Sequence, residues 1–198
     1  DLKTAEQSIQ KKSLSVDENM YYDMLSAFCK SLRGSDSDAA LYWAERLIQA
    51  GCDPMLIARR LVVHSSEDVG MADPQALTIA VSAMYAYEHI GLPEGKIPLY
   101  NAIIYVCEAS KSNSVVRAME KVARAVERVK DDNVPPPLRD NHYSGEHAGG
   151  YKYPHDYGGW VEQQYLPDKL KDEKFYTPSD NGYEKLLIRA KDIKKNKG

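Results

Sequence analysis

The sequence predicts an all-α fold, a helical bundle or array from about Asn19 to Lys130, followed by an extended Tyr/Gly/Pro-rich segment. Three observations carry this expectation. Six consecutive stretches place apolar residues at helical spacing. Four of them open on Asp, Ser or Asn, and four stop at Gly, as helices do. After Lys130 that grammar ends, and prolines, glycines and tyrosines take over.

The first helix is read in "YYDMLSAFCKSLRG", Tyr21 to Gly34, where Met24, Leu25, Phe28 and Leu32 recur at helical spacing and Gly34 suits the C′ position. The second, "SDSDAALYWAERLIQAG", is expected to cap at Ser35 or Ser37 and to stop at Gly51, with Leu41, Ala44, Leu47 and Ile48 on one face. "DPMLIARRLVVHSSEDVG" follows, with Asp53 as N-cap, Pro54 at the first helical position and Gly70 as stop. "DPQALTIAVSAMYAYEHIG" repeats that start with Asp73 and Pro74 and stops at Gly91. In "PEGKIPLYNAIIYVCEAS", Pro98 marks the first turn of the fifth helix. The sixth, "SNSVVRAMEKVARAVERVK", caps at Ser112 or Asn113 and carries a stripe of Val115, Met119, Val122 and Val126. "LVVHSS" and "NAIIYVC" are apolar over more than half their circumference, which suits central helices covered on two sides. The two Asp-Pro starts do not extend into a longer repeat.

Past the helices, "DDNVPPPLRD" is expected to run extended through its three prolines. Residues 141–180 hold few aliphatics, so their aromatics are read as anchors for an extended tail. "GYEKLLIRAKDIKKNKG" closes as a short amphipathic helix and a basic tail. The organisation is therefore a linker over 1–19, a helical domain over 20–130 and an extended segment over 131–198.

The composition excludes several classes. A net charge of −3 and a pI near 6.0 supply no global basic field for nucleic acid. The three cysteines, Cys29, Cys52 and Cys107, form no CxxC pair and read as buried thiols of a reducing cytosol. No apolar run reaches membrane-spanning length, and no signal-peptide pattern appears. The chain begins "DLKTAEQSIQ" without Met, which reads as a piece of a longer or processed protein.

The stretch "KSLRGSDSDAALYW", Lys30 to Trp43, looks at first like a ligand loop. A phosphate cradle needs several glycines followed by a lysine; here the only glycine, Gly34, follows the basic residues, and no G-x-x-x-x-G-K-[ST] occurs in the chain. A calcium loop needs more oxygen ligands and a distal Glu than Asp36 and Asp38 provide. A helix corner explains the pattern: Lys30 and Arg33 favour the C-terminal end of one helix, Asp36 and Asp38 the start of the next, at roughly 0.3–1 kcal/mol each.

Arg59 and Arg60 precede Glu67 and Asp68; Arg60 and Glu67, seven apart, are placed on one helix face and read as an internal ion pair. His64 is read as a satisfied core histidine. His142, His147 and His155 are unevenly spaced and lack a fourth zinc ligand. No catalytic constellation appears, and no cofactor or metal site is assigned to these residues. A nucleic-acid surface on Lys111, Arg117, Lys121, Arg124 and Arg128 is the rival reading, opposed by the interspersed Glu120 and Glu127. The tail tyrosines among Lys152, Lys169, Lys171 and Lys174 are read as packing anchors in preference to base-stacking platforms.

Four segments are more specific. "SLRGSDSDAALYWAERLIQAGCDP", "ARRLVVHSSEDVGMADPQAL", "SKSNSVVRAMEKV" and "YKYPHDYGGWVEQQYLPDKLKDEKFYTPSDNGYEK" closely resemble the C-terminal part of the replication-associated recombination protein A (RarA/MgsA) family of AAA+ ATPases, which has a eukaryotic relative in the Werner-helicase-interacting protein. The resemblance runs from about Met20 to Lys185 and departs from the family only at "VPPPLRD" and "ASKSN". It implies a clamp-loader collar-like helical domain, with residues 1–19 as the end of an ATPase lid and the ATP and Mg sites upstream. It implies no catalytic role for this part, self-assembly as a homo-tetramer, action of the whole protein on DNA at stalled forks, and a link to single-stranded-DNA-binding protein. It implies a cytoplasmic, nucleoid-associated location and no membrane partner. The signature residues, read as structural or interface positions, are Arg33, Gly34, Asp38, Tyr42, Trp43, Arg59, Arg60, Glu67, Asp68, Asp73 and Pro74.

Overall fold

The computed structural model describes residues 18–130, 133–139 and 150–188. Among these the regular structure is helical throughout, with no strand. Six α-helices follow in order: α1 (Glu18–Arg33), α2 (Ser37–Gln49), α3 (Pro54–His64), α4 (Gln75–Ile90), α5 (Lys96–Glu108) and α6 (Ser114–Arg128). A π-type turn, Ser65–Val69, and a 3-10 turn, Gly70–Ala72, join α3 to α4. Beyond α6 come 3-10 turns at Pro136–Leu138, Pro154–Tyr157 and Asp168–Leu170, and a helical turn over 184–188. The linker reading for residues 1–17, His142, His147 and the basic tail beyond 188 lie outside the described residues.

The fold divides into two compact units. One holds the described part of residues 1–113 together with Asn181–Tyr183; the other holds the described parts of 114–180 and 184–198. In the first, α5 is the central element and packs against α1, α2, α3 and α4. Its Leu99, Ala102, Ile103, Val106 and Cys107 are buried, so the sequence's over-apolar "NAIIYVC" does lie in the middle. Phe28 and Leu32 of α1, Leu47 of α2, and Ile57 and Leu61 of α3 complete the core. The buried positions of α4 are all alanine, Ala76, Ala80 and Ala83. Small side chains there let the α4 and α5 backbones approach closely, and any larger residue would strain the contact.

The helix ends show how the local sequence acts, and two of them correct the expectation. At the end of α1, Ser35 and not Gly34 adopts the left-handed conformation, with φ 59°. The Ser35 amide bonds the Leu32 carbonyl at 3.4 Å and the Asp36 amide bonds the Ser31 carbonyl at 3.1 Å, the paired bonds of a Schellman end with Ser35 at C′. Gly34 lies one step earlier, where a Cβ would stand tightly, 3.0 Å from the Lys30 carbonyl oxygen. α2 is then capped by Asp36, whose carboxylate accepts from the Ala39 amide at 2.9 Å, and not by Ser35 or Ser37. Asp53 caps α3 as expected, with Pro54 at its first position. Asp73 accepts from the Gln75 amide at 3.0 Å and also from the Tyr105 hydroxyl at 2.8 Å, fixing the start of α4 to α5.

In the second unit, "VPPPL" is not wholly extended: Pro136–Leu138 form a 3-10 turn, which prolines tolerate because it needs few backbone donors. Read as anchors against the helical body or a neighbour, Tyr151, Tyr153, Tyr157, Trp160 and Tyr165 are all exposed and so do not anchor the tail within this chain. The physical reason is the one that made the tail unusual: Leu170 is the buried apolar residue among its described positions, so the rings find little aliphatic surface. A buried carboxylate ties several of its segments together. Glu184 is fully buried and accepts from the Tyr176 hydroxyl at 2.8 Å, the Ser179 amide at 2.9 Å, and the hydroxyls of Ser179 and of Ser114 at the start of α6. Burial and the Glu184 bond push the Tyr176 phenol up to about 12.

Candidate functional site

Three of the signature residues, Arg33, Glu67 and Asp68, meet at the junction of α1 with the π-type turn. Arg33 closes α1, and its guanidinium donates to Asp68 Oδ1 at 2.7 Å and to Glu67 Oε1 at 2.8 Å. The π-type geometry after His64 carries Asp68 back beneath the end of α3, where its other oxygen meets His64 Nδ1 at 2.5 Å. His64 and Asp68 are both buried, and Glu67 lies at the surface. The Asp68 carbonyl accepts from the Ser112 amide at 2.7 Å, which fixes the turn from its other side.

The electrostatics follow from this packing. Burial alone would push the His64 imidazole down, but hydrogen bonds to Asp68 and Cys29 outweigh it and raise it to about 9. Burial would likewise raise the Asp68 carboxyl, but the bonds from His64 and Arg33 prevail and hold it below the usual carboxylate range. The cluster is thus an imidazolium and a guanidinium sharing one buried carboxylate. A histidine held protonated offers no general base, and its carboxylate partner is occupied on both oxygens. The arrangement fixes a helix junction.

This corrects two readings of the sequence. Glu67 pairs with Arg33 and not with Arg60, because α3 ends at His64 and the seven-residue spacing does not run along one α-helix. Arg59 and Arg60 are both exposed and, among the described residues, neither forms an ion pair. The carboxylate partner of His64, four residues along at Asp68, escaped the sequence reading. Of the remaining signature residues, Asp38 is exposed in the first turn of α2 and Pro74 precedes α4. Tyr42 and Trp43 stack edge to face with centroids 5.0 Å apart, beside a groove lined by Met20, Met24 and Arg46.

Sequence reasoning also missed Glu45, which receives the Tyr100 hydroxyl and the Lys96 ammonium at 2.9 Å and ties α2 to α5. The Tyr100 bond, then the Lys96 bond, lowers its carboxyl. Lys111, read as a nucleic-acid contact, is spent on the end of α5: its ammonium donates to the carbonyls of Val106, Cys107 and Ala109 at 2.9, 2.7 and 2.8 Å. Arg124 and Arg128 face Glu120 and Glu173. These pairings remove most of the charge on which a nucleic-acid surface would depend.

Three of the helix starts are taken by carboxylates of the chain itself. Those of α2, α3 and α4 are each filled by the chain's own aspartate, Asp36, Asp53 and Asp73, so their free amides already have an anion. Among the described residues, no group of three or more His, Cys, Asp or Glu could hold a metal ion. No described helix is long and apolar enough to cross a membrane.

A family model described as "MgsA AAA+ ATPase C terminal" matches residues 34–194. Replication-associated recombination protein A of Bacillus subtilis is 47% identical over 204 residues, covering 95% of this chain and 48% of that protein. The protein of the same name from Escherichia coli K12 is 38% identical over 170 residues, 83% of this chain and 38% of its own. ATPase WRNIP1 of Dictyostelium discoideum is 35% identical over 176 residues, 85% of this chain and 20% of its own. The chain therefore spans less than half the length of these relatives. It belongs to the family of MgsA AAA+ ATPase C-terminal regions.

Proposed function

We infer that this chain is the non-catalytic, oligomerising C-terminal portion of a DNA-dependent AAA+ ATPase acting in replication, recombination and repair at stalled forks. One observation carries the assembly reading. The first unit already has a complete core, yet α4 presents Leu77, Val81 and Tyr85, four residues apart, and α5 presents Ile97 and Ile104, seven apart, all exposed. Rows of this kind on neighbouring helices are what a subunit interface uses. Residues 20–130 act as a collar-like assembly domain in this reading, and 131–198 as a family-specific extension. ATP and Mg belong to the remainder of the larger protein, as do contacts with DNA and with single-stranded-DNA-binding protein in a cytoplasmic, nucleoid-associated setting.

The test is substitution within the rows. Val81→Asp or Ile97→Asp lowers the mass of the assembly in solution while far-UV circular dichroism stays unchanged. Assembly untouched by both substitutions would remove the α4 and α5 rows from the interface.

A further inference from the structure

We propose that α6 is a self-complementary helix that pairs, antiparallel and two-fold symmetric, with α6 of a second copy of this chain; the proposal rests on the assembly reading above. α6 is turned inside out relative to an ordinary surface helix, which faces its apolar stripe to the core. Its buried positions are Ser114 and Ala125, whereas Val115, Met119, Val122 and Val126 are 40, 64, 41 and 64% exposed.

These four side chains are spaced by four, three and four residues, the a/d spacing of a coiled-coil seam. The six charged residues of the helix, Arg117, Glu120, Lys121, Arg124, Glu127 and Arg128, all lie off that seam.

The seam itself points to a second copy as its occupant. A four-three-four spacing reads the same from either end. Reversing a second α6 against the first therefore puts Val115 opposite Val126 and Met119 opposite Val122, apolar on apolar at every layer. That is the property an isologous two-fold contact requires. The positions flanking the seam, Val116 and Ala123 on one side and Ala118 and Ala125 on the other, carry no charge, and Ala125 is covered by its own chain. No like charges meet when the helix faces itself. A partner selected by charge would need charged residues at those flanks. A four-layer seam is smaller than the roughly 1,200 Å² that a stable interface buries. It therefore works with a second contact, as a closed tetramer with two kinds of two-fold interface does, and the α4 and α5 rows supply that second surface.

Cysteine cross-linking in the 198-residue chain tests the arrangement. In an antiparallel pair, residue 115 of one copy lies beside residue 126 of the other, and the two copies of residue 115 are about 16 Å apart along the axis, beyond disulfide reach. Val115→Cys and Val126→Cys chains, co-expressed and mildly oxidised, give a heterodimeric 115–126 disulfide on peptide mapping. Neither variant alone links, and the unsubstituted chain, with its native cysteines, is the control. Val122→Asp halves the mass of the tetramer while circular dichroism is unchanged. Links formed by each variant alone would mean a parallel pair and overturn the proposal. No link in any sample, with the mass still that of an oligomer and insensitive to Val122→Asp, would also overturn it and leave assembly to another surface. A monomeric mass in every sample would overturn the assembly reading together with the proposal.

Discussion

Removing the imidazole from the Arg33 junction, as His64→Gln, has a consequence whose size and pH dependence follow from the geometry. His64 is 4% exposed and sits 2.5 Å from Asp68. Its imidazole is raised from 6.5 to about 9, so folding favours the protonated form by about 3 kcal/mol. That contribution is fully present below the unfolded value near 6.5 and is lost as pH rises through 9. Asp68 acts in the opposite sense: held low, it stabilises the fold above the ordinary carboxylate range and loses that effect as pH falls.

Urea unfolding of the unsubstituted chain and of His64→Gln, followed in parallel from pH 6 to 10, isolates the histidine because tyrosine, lysine and cysteine titrate in both. The stability difference between the two should shrink by about 3 kcal/mol across that window. In Asp68→Asn the buried imidazole loses its anion, and its titration, followed by NMR, should fall to or below the ordinary histidine value. A pH-independent difference, or a His64 titration unmoved by Asp68→Asn, would refute the reasoning.

Two further substitutions probe the other fixed points. Glu184→Ala removes the acceptor shared by Ser114, Tyr176 and Ser179 inside a closed site, and should cost about 3 kcal/mol in urea unfolding; a cost below about 1 kcal/mol would mean the carboxylate does not organise that unit. Gly182 has φ 49°, and a Cβ there would stand 2.1 Å from the Ala72 carbonyl oxygen that also accepts from the Tyr183 amide. Gly182→Ala should destabilise by roughly 2 kcal/mol or more, read as a lowered urea midpoint, and an unchanged midpoint would contradict the close approach.

The parts of this fold that were legible in the sequence are those set by local rules. Helical spacing located six helices, and the Asp53-Pro54 start and the Gly91 stop were read from capping chemistry alone. Two errors lay at the corner between α1 and α2. Ser35, one residue past the expected glycine, took the left-handed position. Asp36 capped α2 because its carboxylate reaches the Ala39 amide once that turn forms. The Arg33 junction was invisible for a different reason: a π-type turn breaks the periodicity on which face assignments rest, so Glu67 went to the wrong arginine and Asp68 was not paired with His64. Glu184 and Glu45 were missed because a carboxylate bound to distant partners leaves no periodic trace, and their partners Ser114 and Tyr100 are 70 and 55 residues away. The stripe on α6 was read correctly as a stripe; that it faces solvent depends on tertiary packing that spacing does not report.

The central proposal is that these residues carry assembly by themselves. The measurement that addresses it most directly is the mass of the 198-residue chain in solution by light scattering, across a concentration series. The account predicts a tetramer that persists on dilution. A monomer at every concentration would contradict it.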